Sequence, residues 1–502
     1  MRASGLHRQT LSVLARQWSR QENNSAGLTD MPTPLQPETT AANPTYDTTY
    51  IWMISLVAAL GGLLFGYDWV VIGGAKPFYE KFFGLYDPAQ QGWAMGCALV
   101  GCLLGAMLSG GLTDKFGRKP MLLLSAMLFA LSSIGTALSN AFDVFVAWRI
   151  AGGLAIGLAS SLSPMYIAEV SPAPFRGKLV SINQLTIVIG IVLAQLVNWL
   201  IAKPVPPTAT AVDILYSWNG QVGWRWMFGV TAIPATLFFV GMCMIPESPR
   251  WLAAKGATDK ARRILARIGG AAYSDQALAE IRATVPNKTG ESEFKRLLEP
   301  SIRKPLQVGI VLAVFQQWCG INVIFNYAEE VFSAAGFKVS DILFNIVVTG
   351  AVNLVFTFIA MGLVDKVGRR ALMLTGAGGL TLIYISLGYA YHAHIRGTYT
   401  LTLVVAAIAC YAMSLAPVTW VVISEIFPNR ARGLAVSIAV SALWIASFVL
   451  TYTFPRLNHN LGAAGTFWIY ALVCGFGFVF IKLQLPETRG KTLENIEASW
   501  AR

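Results

Sequence analysis

Twelve stretches of this chain stay apolar for more than 20 residues each: 51–75, 92–112, 120–142, 144–168, 179–202, 226–246, 305–328, 342–364, 371–391, 397–424, 433–455 and 461–481. At about 1.5 Å of rise per residue, about 20 such residues cross the hydrocarbon core of a bilayer as a helix. No water is present there to satisfy a backbone N–H or C=O, so each run must close its hydrogen bonds within itself. The predicted fold class is therefore an all-α membrane protein of twelve transmembrane helices, with the lipid bilayer as its surroundings. Composition agrees. The chain is 55% hydrophobic and only 13% charged, where a soluble protein carries about 25% charged residues.

The charges are placed rather than spread. With the N-terminus inside, the cytoplasmic segments hold 29 Lys and Arg and the external loops hold 7. That asymmetry predicts both termini in the cytoplasm of a cell whose inner or plasma membrane the chain spans several times. The same placement accounts for the net charge of +12 without a nucleic-acid partner. Six cysteines, Cys97, Cys102, Cys243, Cys319, Cys410 and Cys474, all fall in apolar runs with no metal-ligand spacing, which reads as free thiols filling space. None of the four histidines sits mid-run, and there is neither a phosphate-binding glycine loop nor a nucleophile beside a base. No enzyme, metal or cofactor is expected.

The runs divide six and six. Residues 1–50 are polar and interrupted by Pro32, Pro34, Pro37 and Pro44, which reads as a disordered tail. Residues 1–20 hold four Arg and no acid, a faint likeness to a transit peptide, and Met31 is an alternative start. A first six-helix half covers 51–246 and a second covers 305–485, with a cytoplasmic tail at 486–502. Between the halves, the linker 247–304 holds twelve basic and seven acidic residues, and its Lys260–Ile268 and Asp275–Ile281 stretches have helical amphipathic spacing. The halves also echo each other in order. GGLTDKFGRK at 110–119 returns as MGLVDKVGRR at 361–370, Glu169 and Arg176 return at the same spacing as Glu425 and Arg432, and PESPR at 246–250 returns as PETRG at 486–490. Repeated six-helix halves are a transporter design in which substrate sits near the midplane between them.

With PESPRWL at 246–252, QQWCGIN at 316–322 and PETRGKTLE at 486–494 added to these repeats, the chain resembles the sugar porter family of the major facilitator superfamily from about residue 51 to 500. SPMYIAEV at 163–170, RGKLVSINQ at 176–184 and SEIFPN at 424–429 bring it nearest the bacterial xylose– and hexose–proton symporters. The resemblance implies the major facilitator fold and alternating access to one monosaccharide site, with protons as the coupling ion and a functional monomer.

A sugar needs amide or carboxyl partners for its hydroxyls and an aromatic platform for its apolar face. Gln184, Gln195 and Asn198 share one stripe of the fifth run at about 100° per residue. Gln316, Gln317 and Asn322 fall at about 0°, 100° and 240° on a straight helix, so they converge only if it breaks, and Gly320 is the predicted break. Pro417 is the predicted interruption of the tenth run, just before Trp420. The plain alternative for each amide is a bond to a neighbouring helix, and for Trp420 it is packing. The resemblance implies that Gln184, Gln316, Gln317, Asn322 and Trp420 bind sugar, with Asn353, Phe65 and Trp444 lining the cavity. Leu443 stands where relatives carry Gln or Asn, and Asn326 where a Tyr is common. Ile191 and Phe325 are more like the glucose-carrying members, which points to a hexose such as glucose, with xylose as the other candidate.

Asp68 and Arg149 are the only charges in the middle of a run. They lie about 10 Å and about 8 Å from the outer ends of their runs at 1.5 Å per residue, matching depths that allow them to pair. An intramembrane acid is costly and usually has a use. Here that use is a protonation switch, and the alternative is a static pair that fixes packing. The resemblance further implies that Asp114, Arg118, Glu169, Arg176, Asp365, Arg369, Glu425 and Arg432 form a cytoplasmic gate of salt bridges across the halves that holds the outward-facing state closed inside. A passive facilitator would lack Asp68, and a sugar sensor would carry a long cytoplasmic extension, whereas about 20 residues follow the last run here.

Overall fold

The computed structural model describes residues 46–206, 208–284, 299–427 and 432–489. Most of the expected N-terminal tail, residues 285–298 of the linker and residues 490–502 lie outside them. Eleven helices are long and apolar enough to cross a membrane among the described residues. The first six are α1 (Thr48–Phe83), α2 (Pro88–Phe116), α3 (Arg118–Ala137), α4 (Phe142–Val170), α5 (Ala173–Ile201) and α6 (Asn219–Met244). The next four are α7 (Ile302–Asn326), α8 (Val339–Val367), α9 (Arg369–His392) and α10, made of Thr398–Met413 and Leu415–Glu425. The last, Arg432–Gln484, has 53 residues and turns at Gly462 (φ 67°, ψ 176°). At 1.5 Å per residue it would measure about 80 Å, far more than a bilayer. It is two crossings, α11 (432–461) and α12 (463–484), and the twelve runs become twelve legs.

Local chemistry sets the ends. The Asp47 carboxylate accepts from the Tyr50 N–H at 2.9 Å at the start of α1, and Asp87 accepts from the Gln90 N–H, with Pro88 in the first turn of α2. One expectation needs correction here. The apolar run ends at residue 75, but α1 continues to Phe83 and carries Lys76 and Glu80 inside it, 3% and 2% exposed. These two charges pair at 3.1 Å one turn apart, so they end the apolar pattern without ending the helix. Asp68 is not the only acid in its leg.

Both predicted breaks occur, one of them displaced. Gly320 has φ +86° between Trp318 and Ile321. The tenth leg breaks at Ser414 (φ −128°, ψ −83°), three residues before Pro417. The proline has no N–H to give and its ring crowds the carbonyl four residues back, so the fault opens at the preceding turn.

Apolar surfaces gain little by meeting each other in lipid, so the legs hold together by close backbone approach. Gly101, Gly105, Gly153 and Gly157 interlock α2 with α4. A Cβ on Gly153 would stand 1.9 Å from the Ala98 carbonyl oxygen, and one on Gly105 2.4 Å from that of Leu154. In the same way Gly66 and Gly190 bring α1 against α5. Between the halves, α2 packs on α11 and α5 on α8. The outer surface carries large apolar side chains such as Met244, Phe476 and Leu483. The linker forms two helices, Pro249–Ala254 and Thr258–Thr284, the second turning at Gly269 and Gly270. It docks on the start of α1, where the Asp47 N–H donates to the Ile268 carbonyl at 2.9 Å and Arg267 lies over the Tyr50 ring at 4.0 Å.

Gly153→Ala should lower the stability of the purified protein by about 1–3 kcal/mol, because the new methyl meets backbone rather than a yielding side chain. Gly110→Ala, on the facing α2 but with open space around it, should be neutral or stabilising by up to about 1 kcal/mol. Thermal melting in detergent compares them, and equal effects would show that close approach does not limit the packing.

Candidate transport site and gates

The three repeated motifs of each half meet at one place, the end of the bundle that carries Arg118 and Arg369. In the first half the Glu247 carboxylate accepts from the N–H groups of Arg118 and Lys119 at 3.1–3.2 Å, where α3 starts with unpaired donors. Arg118 in turn grips Glu169 through two nitrogens at 3.0 Å and also reaches Asp114. The Ser248 hydroxyl donates to Glu169 at 2.5 Å. The second half repeats this. Glu487 accepts from Arg369 and Arg370 at 3.0 and 3.1 Å, Arg369 pairs with Glu425 at 3.1 Å, and the Thr488 hydroxyl donates to Glu425 at 2.7 Å. Gly117 and Gly368 precede α3 and α9 with φ +102° and +101°, and a Cβ on either would run into the capping glutamate. Only glycine suits both demands.

Arg118 pairs with Glu169 inside the first half and Arg369 with Glu425 inside the second; the implied ties across the halves belong to an arrangement closed at this end. Arg176 donates to the Ser171 carbonyl at 3.5 Å. The side chains of Asp365 and Arg432 lie outside the described residues.

At the opposite end the halves are joined directly. Lys76 of α1 meets Glu330 at 2.6 Å and Glu329 at 3.4 Å, and the Val205 N–H donates to the Ser340 hydroxyl at 3.0 Å. The bundle is closed at this end.

Asp68 and Arg149 do pair, Oδ1 to Nη1 at 2.8 Å, both at least nine-tenths buried. The pair is incompletely satisfied, since Asp68 Oδ2 and Arg149 Nε have no partner, and the guanidinium also lies over the Phe228 ring at 5.3 Å. Beside it is a cavity of about 10 Å³ lined by Arg149, Trp69, Cys102 and Asn326, room for about one water. Asn326 Oδ1 is buried without a partner.

The break at Gly320 brings the predicted amides of α7 together. Asn322 donates to Gln317, Gln317 to Gln316 at 2.6 Å, and Gln316 to the Tyr411 hydroxyl at 2.5 Å. All three amides are under 9% exposed. Across from them Phe65 and Trp69 of α1 cluster with Trp444 of α11, ring centroids 5.8–6.1 Å apart. The Trp444 indole N–H is buried and unpartnered. Gln184 on α5 and Trp420 on α10 are half-buried, and Asn353 is buried on α8. Leu443 is buried beside Trp444. The stripe of three amides on α5 divides. Asn198 donates to the Val71 carbonyl at 2.9 Å and serves helix packing, while Gln195 lies against Gly350 of α8 with both polar atoms unpartnered.

Two members of this site were missed. Trp69 was readable, since it follows Phe65 by one turn. Tyr411 was not, because nine residues place it about 180° from Trp420 on a straight helix.

Two six-helix halves with repeated charge clusters at one end, a buried ion pair in one half and a broken amide-bearing helix in the other, make this a membrane transporter and not an enzyme. A family model described as sugar (and other) transporter matches residues 54–500, and the chain belongs to that family. The D-xylose-proton symporter of Escherichia coli is 39% identical over 489 residues, covering 91% of this chain and 97% of that protein. The glucose transport protein of Synechocystis sp. is 37% identical over 475 residues, covering 92% and 100%. The partially occluded, inward-open structure of the xylose transporter from E. coli matches with TM-score 0.77 and 36% identity, over 89% of this chain and all of that one.

Glu487→Ala should leave the first N–H groups of α9 unanswered and cost about 1–3 kcal/mol of stability, read as a lower melting temperature. If the variant melts with the parent, the carboxylate is not what completes that helix end.

Proposed function

We propose that this chain carries a monosaccharide of the glucose or xylose type across the plasma membrane together with a proton, by alternating access, as a monomer. The Lys76 end faces outside, and both termini and the 247–304 linker face the cytoplasm, as the loop charges favour. The observation that carries the reading is the Asp68–Arg149 pair, buried at 2.8 Å beside the aromatic cluster of Phe65, Trp69 and Trp444. The relatives named for proton symport of xylose and for glucose transport support it.

Sugar hydroxyls would insert among Gln184, Gln316, Gln317 and Asn322, replacing bonds the amides now make to one another, and the indoles of Trp420 and Trp444 would flank the ring. Asn353 and Phe65 complete the wall. A proton on Asp68 removes its attraction for Arg149 and so changes which arrangement of the halves is favoured. The proton is the coupling ion, and transport needs no bound cofactor or metal. The clusters around Glu169 and Glu425 form the inner gate, and the joined outer end supports an inward-facing reading of this arrangement.

Asp68→Asn tests the coupling. The amide mimics the protonated acid, so the variant should fold, bind sugar and exchange it in reconstituted vesicles while losing uphill accumulation driven by a proton gradient. A well-folded variant that still concentrates sugar when protons are supplied would refute the coupling role. A static pair predicts a different outcome, an unpaired buried Arg149 costing about 3–5 kcal/mol and a poorly folded protein.

Gln317→Ala should weaken binding of the best sugar by about 1–3 kcal/mol, the cost of hydroxyls left unpaired in a dry cavity. Calorimetry on the purified protein reads it, and unchanged affinity would move the site elsewhere.

A further inference from the structure

The function set out above makes no use of Lys76 as more than a point of contact, yet among the described residues it has the most crowded ion-pair environment. Its side chain is 3% exposed, and its ammonium reaches three carboxylates: Glu330 at 2.6 Å, Glu80 at 3.1 Å and Glu329 at 3.4 Å. Glu80 is on its own helix. Glu329 and Glu330 open the short helix Ala328–Ala334, which follows α7 in the other half. The remaining titratable neighbours are Tyr79 on α1 and Tyr327, whose ring centroid lies 5.9 Å from the ammonium. Backbone meets backbone beside the cluster, where a Cβ on Gly73 would stand 2.7 Å from the Phe325 carbonyl oxygen.

The burial is costly unless it is answered. Taking an ammonium out of water costs several kcal/mol, recovered only with close, well-placed partners. Glu80 alone is present whatever the halves do, because it rides on the same helix. Glu329 and Glu330 are partners only while the halves touch at this end. If they part, Lys76 trades both contacts for water, and Glu80 Oε1 and Glu330 Oε2, now buried without partners, gain hydration. The cluster therefore distinguishes two arrangements of the halves, whereas the Asp68–Arg149 pair lies wholly within the first.

We propose that Lys76, tied to Glu329 and Glu330, is an electrostatic latch that holds the two halves together at this end and so biases the transporter toward the arrangement open at the other. The latch rests on the proposed orientation only for which side of the membrane it closes. Its test involves neither sugar nor a proton gradient, so its failure and that of the symport reading are separable.

Spin labels on Tyr86→Cys and Thr398→Cys, exposed positions at the latched end of the first and second halves, report their separation in a background where the exposed Cys243 is Ser. Distances are measured in purified protein in nanodiscs. Lys76→Met should shift the distribution toward longer separations, and so should the milder Glu330→Gln, which leaves Lys76 two carboxylates and keeps the test open if Lys76→Met does not fold. Reversing the pair, Lys76→Glu with Glu330→Lys, should move the distribution back toward the parent's. If folded Glu330→Gln keeps the parent distribution, or if a variant melts earlier with no change in distance, the cluster is packing and the latch is wrong.

Discussion

Inside a bilayer an unpaired N–H, amide or charge has no water to turn to, and the organisation of this chain can be followed from how each such group is answered. The backbone answers itself by coiling into twelve legs. The first turns of α3 and α9, where helices run out of internal acceptors, are met by Glu247 and Glu487. Asp68 and Arg149 meet each other, and the amides of α7 meet in a chain that ends on Tyr411. Among the buried groups whose answer is incomplete are Asp68 Oδ2 and Trp444 Nε1, close to the aromatic cluster of Phe65, Trp69 and Trp444. Leftover capacity is what a transporter needs there, since a site satisfied in full by its own protein has nothing to offer a ligand.

The legs and the pairing of Asp68 with Arg149 were legible in the sequence because they depend on one-dimensional facts: run length, and the depth of a charge within a run. The break at Gly320 was legible because Gln316, Gln317 and Asn322 make no sense on one straight helix. Contacts that depend on which arrangement the halves adopt are harder to read: with the halves joined at their other end, Arg118 and Arg369 keep their ties within each half, and the implied ties across the halves belong to the opposite arrangement. Reading failed at α1, where Lys76 and Glu80 ended the apolar pattern but, being paired, did not end the helix. Asn198 had the spacing of a site residue, and nothing in the spacing disclosed that the Val71 carbonyl would claim it.

The repeat carries a consequence for how such a chain comes to exist. The capping clusters recur almost atom for atom, Glu247 with Ser248 and Glu169 in one half, Glu487 with Thr488 and Glu425 in the other. The middles of the halves do not recur. The first keeps α1 whole and holds the ion pair, and the second breaks α7 and α10 and gathers the amides. A duplicated gene starts with two equal copies, and here the shared part is the hardware that ends helices while the divided part is the chemistry. Neither copy is now a spare for the other. A chimera of two first halves would hold two ion pairs and no amide chain, and a chimera of two second halves the reverse, so after specialisation loss in one half cannot be made good by the other.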